Sequence, residues 1–201
     1  MNRRSMFFGA ILLSLLSLTC GLAHAAVDAE GNDEFTIKPS DVPADAPSFD
    51  AYAVKPYAGR NAPLILGKDK QALLFKTRLR DGSRQKVNFA GHYILTAWGC
   101  GSDCEQFMII DSRTGRVFHP KAVGSNSSVN VHEALMRGTT TWPTEGSIKH
   151  QANSKLLVIF GAPEEDDARR GVSYYVWEGE RLKLIRHVAK PMKHAAASKS
   201  E

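Results

Sequence analysis

The chain is 201 residues long and carries 26 Lys and Arg against 21 Asp and Glu, a formal net charge of +5. An excess this mild is not the footprint of a nucleic-acid-binding protein, and the length, less a leader, leaves about 150 residues, the size of one domain. The sequence contains no phosphate loop, no G-x-S-x-G elbow and no H-E-x-x-H zinc motif, which removes the commonest motif-borne activities.

The first 25 residues read as an export signal. Arg3 and Arg4 give a positive start, residues 7–18 form an apolar run too short to span a bilayer, and Ala23-His24-Ala25 is a small-x-small cleavage site. Cleavage after Ala25 implies an exported, soluble product with no stable membrane insertion. A second reading makes Cys20 the lipid-modified residue of a lipoprotein, although Ser17-Leu18-Thr19 matches a lipobox poorly. Without the signal the net charge is +3, divided unevenly: residues 26–50 hold seven acids and one lysine, leaving +9 on residues 51–201. With Pro39, Pro43 and Pro47 and few large apolar side chains, residues 26–50 are expected to be a flexible acidic leader; the alternative is a flap matched in charge to the basic body.

Residues 51–189 are expected to form a single β-rich domain. After an extended lead-in, Ala72, Leu73, Phe75 and Leu79 fall at helical spacing, basic residues gather toward the end, and Asp81-Gly82 stops the run. This predicts one helix near residues 68–80, whose basic end is either a recognition patch or a solvated face. HYILTAW, QFMII and RVFH then read as a three-stranded meander, with CGSDC between the first two strands and DSRTG between the last two. Strand alternation puts His92, Ile94, Thr96 and Trp98 on one face. His92 and Trp98, together with Ser102, Asp103 and Glu105 of the loop, are the candidate binding residues; the alternative for His92 is a purely structural role.

In an oxidising compartment Cys100 and Cys104 form an even pair, and a disulfide is the first expectation. So small a ring contributes only about 2 kcal/mol, so it would shape the loop more than hold the domain. Two other readings stand beside it: a redox pair, for which C-x-x-C is the usual spacing, and a soft-metal site made by His92, Cys100, Cys104 and His119.

Beyond Pro120 comes the polar loop GSNSSVN, then residues 131–136 as either a strand or a helical turn, then a Thr-, Gly- and Ser-rich stretch around Trp142. KLLVIF, residues 155–160, reads as a strand covered on both faces or lying in a sandwich core. Strands over 172–177 and 182–188 follow. The intervening EEDD and Arg169-Arg170 read as a solvated hairpin tip and lack the oxygen spacing of a calcium loop. The two blocks share one layout, so the expected fold is mainly β (α+β): two antiparallel meanders in a sandwich or propeller-like sheet, with one helix. The tail, residues 190–201, is expected to fray.

FAGHY…WGCGSDC, IIDSRTGRVF, SKLLVIFG and YYVWEGERLKLI together resemble a family of small exported proteins from Gram-negative bacteria. The resemblance implies a periplasmic setting and a β domain, and it implies no activity. In size and layout the chain is also similar, at the level of fold analogy only, to periplasmic lysozyme inhibitors and immunity proteins. Two functions follow. One is a non-catalytic binding or inhibitor module that presents loops 99–105 and 164–171 to a periplasmic or secreted protein such as a cell-wall hydrolase, or to a cell-wall ligand, with no cofactor, metal or nucleic acid. The other is a small hydrolase or thiol- or metal-dependent enzyme using His92 with Cys100 or Cys104.

Overall fold

A computed structural model describes residues 34–192 of the chain. Residues 1–25, where an export signal is expected, the start of the acidic leader and residues 193–201 lie outside the described residues. Strand β1 (Tyr93–Gly101) pairs antiparallel with β2 (Cys104–Asp111) along its whole length, and β3 (Val117–Phe118) adds to the far end of β2. β1 lies at the edge of the sheet; the Asn88 side chain caps that edge, donating to Leu95 O and accepting from Leu95 N.

Two further short strands come from stretches that showed no strand pattern. β4 (Ser125–Ser127) lies in the polar loop, and β5 (Ile148–His150) follows the Thr- and Gly-rich stretch. The second meander consists of β6 (Leu156–Pro163), β7 (Gly171–Trp177) and β8 (Leu182–Ala189). β4 joins the meanders by pairing with β2 at Cys104–Gln106 and with β6 at Ala162–Pro163, while β5 lies along the other half of β6. The fold is mainly β, as expected, and the two meanders are joined through β4 into one eight-stranded antiparallel sheet.

The fold in the sheet falls at Gly161, where φ is +134° and a Cβ would lie 2.1 Å from Ser127 O. Only glycine is tolerated at such an approach. Beside it Asn126, fully buried, donates to Ser147 Oγ (2.8 Å) and Phe160 O (2.9 Å), so a side chain holds together a strand whose own residues are too polar to pack there.

Apolar side chains fill both faces of each ribbon. Tyr93, Leu95, Phe107 and Ile109 meet Leu157, Ile159, Tyr175 and Trp177 between the ribbons. The outer face of the first ribbon, Ile94, Met108 and Ile110, is covered by α1 (Lys70–Leu74) and α2 (Lys76–Gly82) through Ala72 and Leu79. These two short helices are the helix expected at 68–80. Asp69 caps the first, and the axis breaks at Phe75 although Phe75 N still donates to Gln71 O and Leu79 N to Phe75 O. Residues 131–136 resolve as a bridge at Val131 followed by a helical turn, α3 (Glu133–Met136).

The acidic leader departs from the expected solvated tether. From Glu34 on it lies against the outer face of the second ribbon, where Ile37 and Phe49 join Leu156, Val158, Phe160, Val172 and Tyr174. Asp45 pairs with Arg186 at 2.9 Å and Asp41 with Lys190 at 3.1 Å, the charge matching of the flap alternative. The apolar anchors decide the matter: burying a side chain such as Ile or Phe contributes about 1.5–3 kcal/mol, against about 0–1 for a surface ion pair. Arg170, expected at a solvated tip, is only 2% exposed and binds the segment from beneath, donating to Phe35 O, Val129 O, Asn130 O and Lys190 O. The described chain also continues in order past 189, since Lys190 N donates to Arg170 O.

Candidate functional site

The β1–β2 ladder runs to Gly101↔Cys104, so its two strand ends bring the cysteines together, and Cys100 and Cys104 form a disulfide with Cα atoms 5.2 Å apart. Asp103 turns the tip with φ at +52°, and its carbonyl accepts from Ser128 N (2.7 Å) and Ser128 Oγ (3.1 Å). Ser102 and Asp103 are exposed.

Next to this tip stands the turn after β6. Glu164 and Glu165 both adopt positive φ, +57° and +58°. Glu164 Oε1 accepts from Ser125 N at 2.9 Å and Glu164 N donates to Ser125 O, while Glu165 Oε1 lies 3.7 Å from Cys104 Sγ. The two loops named as candidates from the sequence thus form one rim, tied together by β4. Asp103, Glu164, Glu165 and Asp166 make the rim acidic and exposed.

The remaining candidates part company. Trp98 lies on the outer face of the first ribbon, its ring centroid 4.8 Å from that of Phe75. Glu105 points the other way, its Oε2 accepting from Ser147 N (2.7 Å) and from Ser147 Oγ, so it belongs to the buried polar junction at the fold of the sheet. His92 lies at the opposite end of β1, about 20 Å along the strand from Trp98 and farther still from the cysteines. It packs on Tyr93 and sits 3.8 Å from Asp111. Burial, then the charge of Arg113, holds its pKa below the ordinary histidine value, with Asp111 acting in the opposite direction. Asp111 itself accepts from Arg113 N and Thr114 Oγ1 within the DSRTG turn.

These placements bear on the chemistry available. His92 cannot act on either cysteine across that distance, and the sulfurs are bonded to each other. Among the described residues no group of three or more His, Cys, Asp or Glu side chains converges as a metal site. A serine–histidine hydrogen bond joins Ser173 Oγ to His187 Nδ1 (2.9 Å), but Ser173 is 2% exposed in mid-strand, out of reach of a substrate.

Beneath the rim opens a crevice of about 230 Å³, lined on one side by Gln71 and Phe75 and on the other by Trp98, Gln106, His119 and Glu164. Two of its ring nitrogens, Trp98 Nε1 and His119 Nδ1, are buried without a hydrogen bond; the nearest carboxylate to His119 is Asp69, at 3.9 Å. Gln71 and Gln106 escape the sequence reading, and Phe75 enters it only as part of the helix's apolar stripe. The one signal for Gln106 is its register, directly opposite Trp98, and that is defined only once the hairpin is closed.

No protein-family model, curated protein or solved structure matches this chain.

Proposed function

We propose that this is an exported, non-catalytic binding module that grips a basic protein surface, such as that of a cell-wall hydrolase, with the rim formed by residues 99–105 and 164–171. The observation that carries the reading is the convergence of the two loops. Both are held in fixed, sterically costly conformations, with three of the five positive-φ non-glycine residues among those described at Asp103, Glu164 and Glu165. A surface so ordered before contact loses little entropy on binding, and its acidic side chains complement a cationic partner. An enzyme acting on an anionic polymer gains association rate from a cationic surface, the kind of surface an acidic rim complements.

The test is titration against purified cationic cell-wall hydrolases. The expected result is saturable binding that is weakened at least tenfold in the Asp103→Lys/Glu165→Lys double variant, whose fold is checked by its melting temperature. No binding, or binding indifferent to the two reversals, refutes the reading.

The unpaired ring nitrogens of the crevice support a second reading, in which the ligand is a small wall fragment. In that case soluble muropeptides change the Trp98 fluorescence of the wild type, and the Trp98→Phe variant has no such response.

A further inference from the structure

The outward side of α1 and α2 plays no part in the rim. Residues 55–86 hold nine Lys and Arg against two Asp, a net charge of +7. All nine cations are exposed, and among the described residues only Arg84 has an ion-pair partner, Asp81 at 3.6 Å. Set among them are three of the five large apolar side chains exposed among the described residues: Ile65 at 54%, Leu73 at 47% and Leu74 at 71%.

This is not a disordered basic tail. Ala72, Phe75 and Leu79 bury one side of the helices against the sheet, which turns Lys70, Leu73, Leu74, Thr77 and Arg78, at three- and four-residue spacing, away from it. Leu64 and Leu66 pack on the same cluster, so Ile65 between them is turned outward.

We propose that this face docks the protein on an anionic bilayer surface. Leu73, Leu74 and Ile65 enter the headgroup boundary, and Lys68, Lys70, Lys76, Arg78 and Arg80 meet the lipid phosphates. The charge selects an anionic partner, and the leucines choose among anionic partners. A soluble polyanion returns nothing for keeping Leu74 in water, whereas a bilayer interface takes up an apolar stripe flanked by cations. The docking is peripheral, since no helix among the described residues is long and apolar enough to cross a membrane.

The test is co-sedimentation of the chain lacking residues 1–25 with vesicles. This form keeps all of residues 34–192, and omitting the apolar run 7–18 keeps it from binding lipid on its own account. The chain is expected to sediment with vesicles of phosphatidylglycerol and phosphatidylethanolamine and to stay in solution with pure phosphatidylcholine. Lys70→Gln and Lys76→Gln each weaken partitioning about fivefold. Leu73→Ser with Leu74→Ser weakens it about tenfold or more. Leu184→Ser, which alters a leucine on β8 as exposed as Leu73, leaves it unchanged. Failure to bind the anionic vesicles, or equal binding to phosphatidylcholine, overturns the proposal. So does full competition by dextran sulfate combined with indifference to the leucine pair, which would make the face a polyanion site. None of these outcomes touches the rim, so this proposal and the binding reading fail separately.

Discussion

Replacing Arg170 with Met keeps most of the side chain's volume and removes its fork of donors. In the native fold Nη1 donates to Phe35 O (2.9 Å) and Lys190 O (2.7 Å), and Nη2 to Val129 O (3.0 Å) and Asn130 O (2.9 Å). Asn130 O keeps a second donor in Ile37 N, so three carbonyls are stranded. A buried unsatisfied group costs about 1–3 kcal/mol, and because water reaches part of this site the low end applies, giving about 3 kcal/mol in all. For a domain of this size that is a fall of about 6–12 °C in Tm. Arg170→Lys should recover less than half of it, since an ammonium group cannot span four carbonyls in a plane. The assay is thermal unfolding followed by circular dichroism, paired with limited proteolysis of the segment before Phe49, which should be cut much faster once its staple is gone. A Met variant melting within about 2 °C of the wild type, with the segment still protected, would show that Arg170 does not hold the leader down.

Burial lowers the pKa of His150 to about 4 while its Nδ1 bonds to Asn88 O, so the ring is neutral in the folded protein and takes up a proton on unfolding. Stability therefore falls as the pH drops from about 6.5 to about 4, by up to about 3 kcal/mol, and urea titrations should give a flatter profile over that window in His150→Gln. Substituting serine for both Cys100 and Cys104 should cost about 2 kcal/mol in denaturant unfolding and leave the sheet signal intact, because the ring it opens is so short. A loss several times larger would mean that the bridge carries the domain. At Gly161, Ala drives a Cβ to within 2.1 Å of Ser127 O on a left-handed backbone. It should destabilise by about 2–4 kcal/mol, read from the shift in the urea midpoint; a neutral result would place the fold of the sheet elsewhere.

Much of this fold was written in local pattern. HYILTAW and QFMII alternate, KLLVIF is apolar throughout, and the spacing of Ala72, Leu73, Phe75 and Leu79 is helical, although Leu73 faces outward and not the sheet; each signal spans fewer than a dozen residues and needs no distant partner to be read. The disulfide is equally local, because its cysteines end adjoining strands of one hairpin. What joins the pieces left no such trace. Ser125–Ser127 is a strand only because β2 and β6 offer their edges and Asn126 finds Ser147 and Phe160. The leader looked too polar to fold because composition averages over a segment, whereas Ile37 and Phe49 suffice once a ribbon face is there to receive them. Arg170 stood in a charged run that promised solvent, and it was buried by four carbonyls from three distant stretches of chain. The sequence by itself determined the long strands of the two meanders and the helical run before them, since those depend on neighbours a few bonds away. Tertiary structure alone decided which side chains share the rim and the crevice, since that is a matter of how separate edges and faces meet in space.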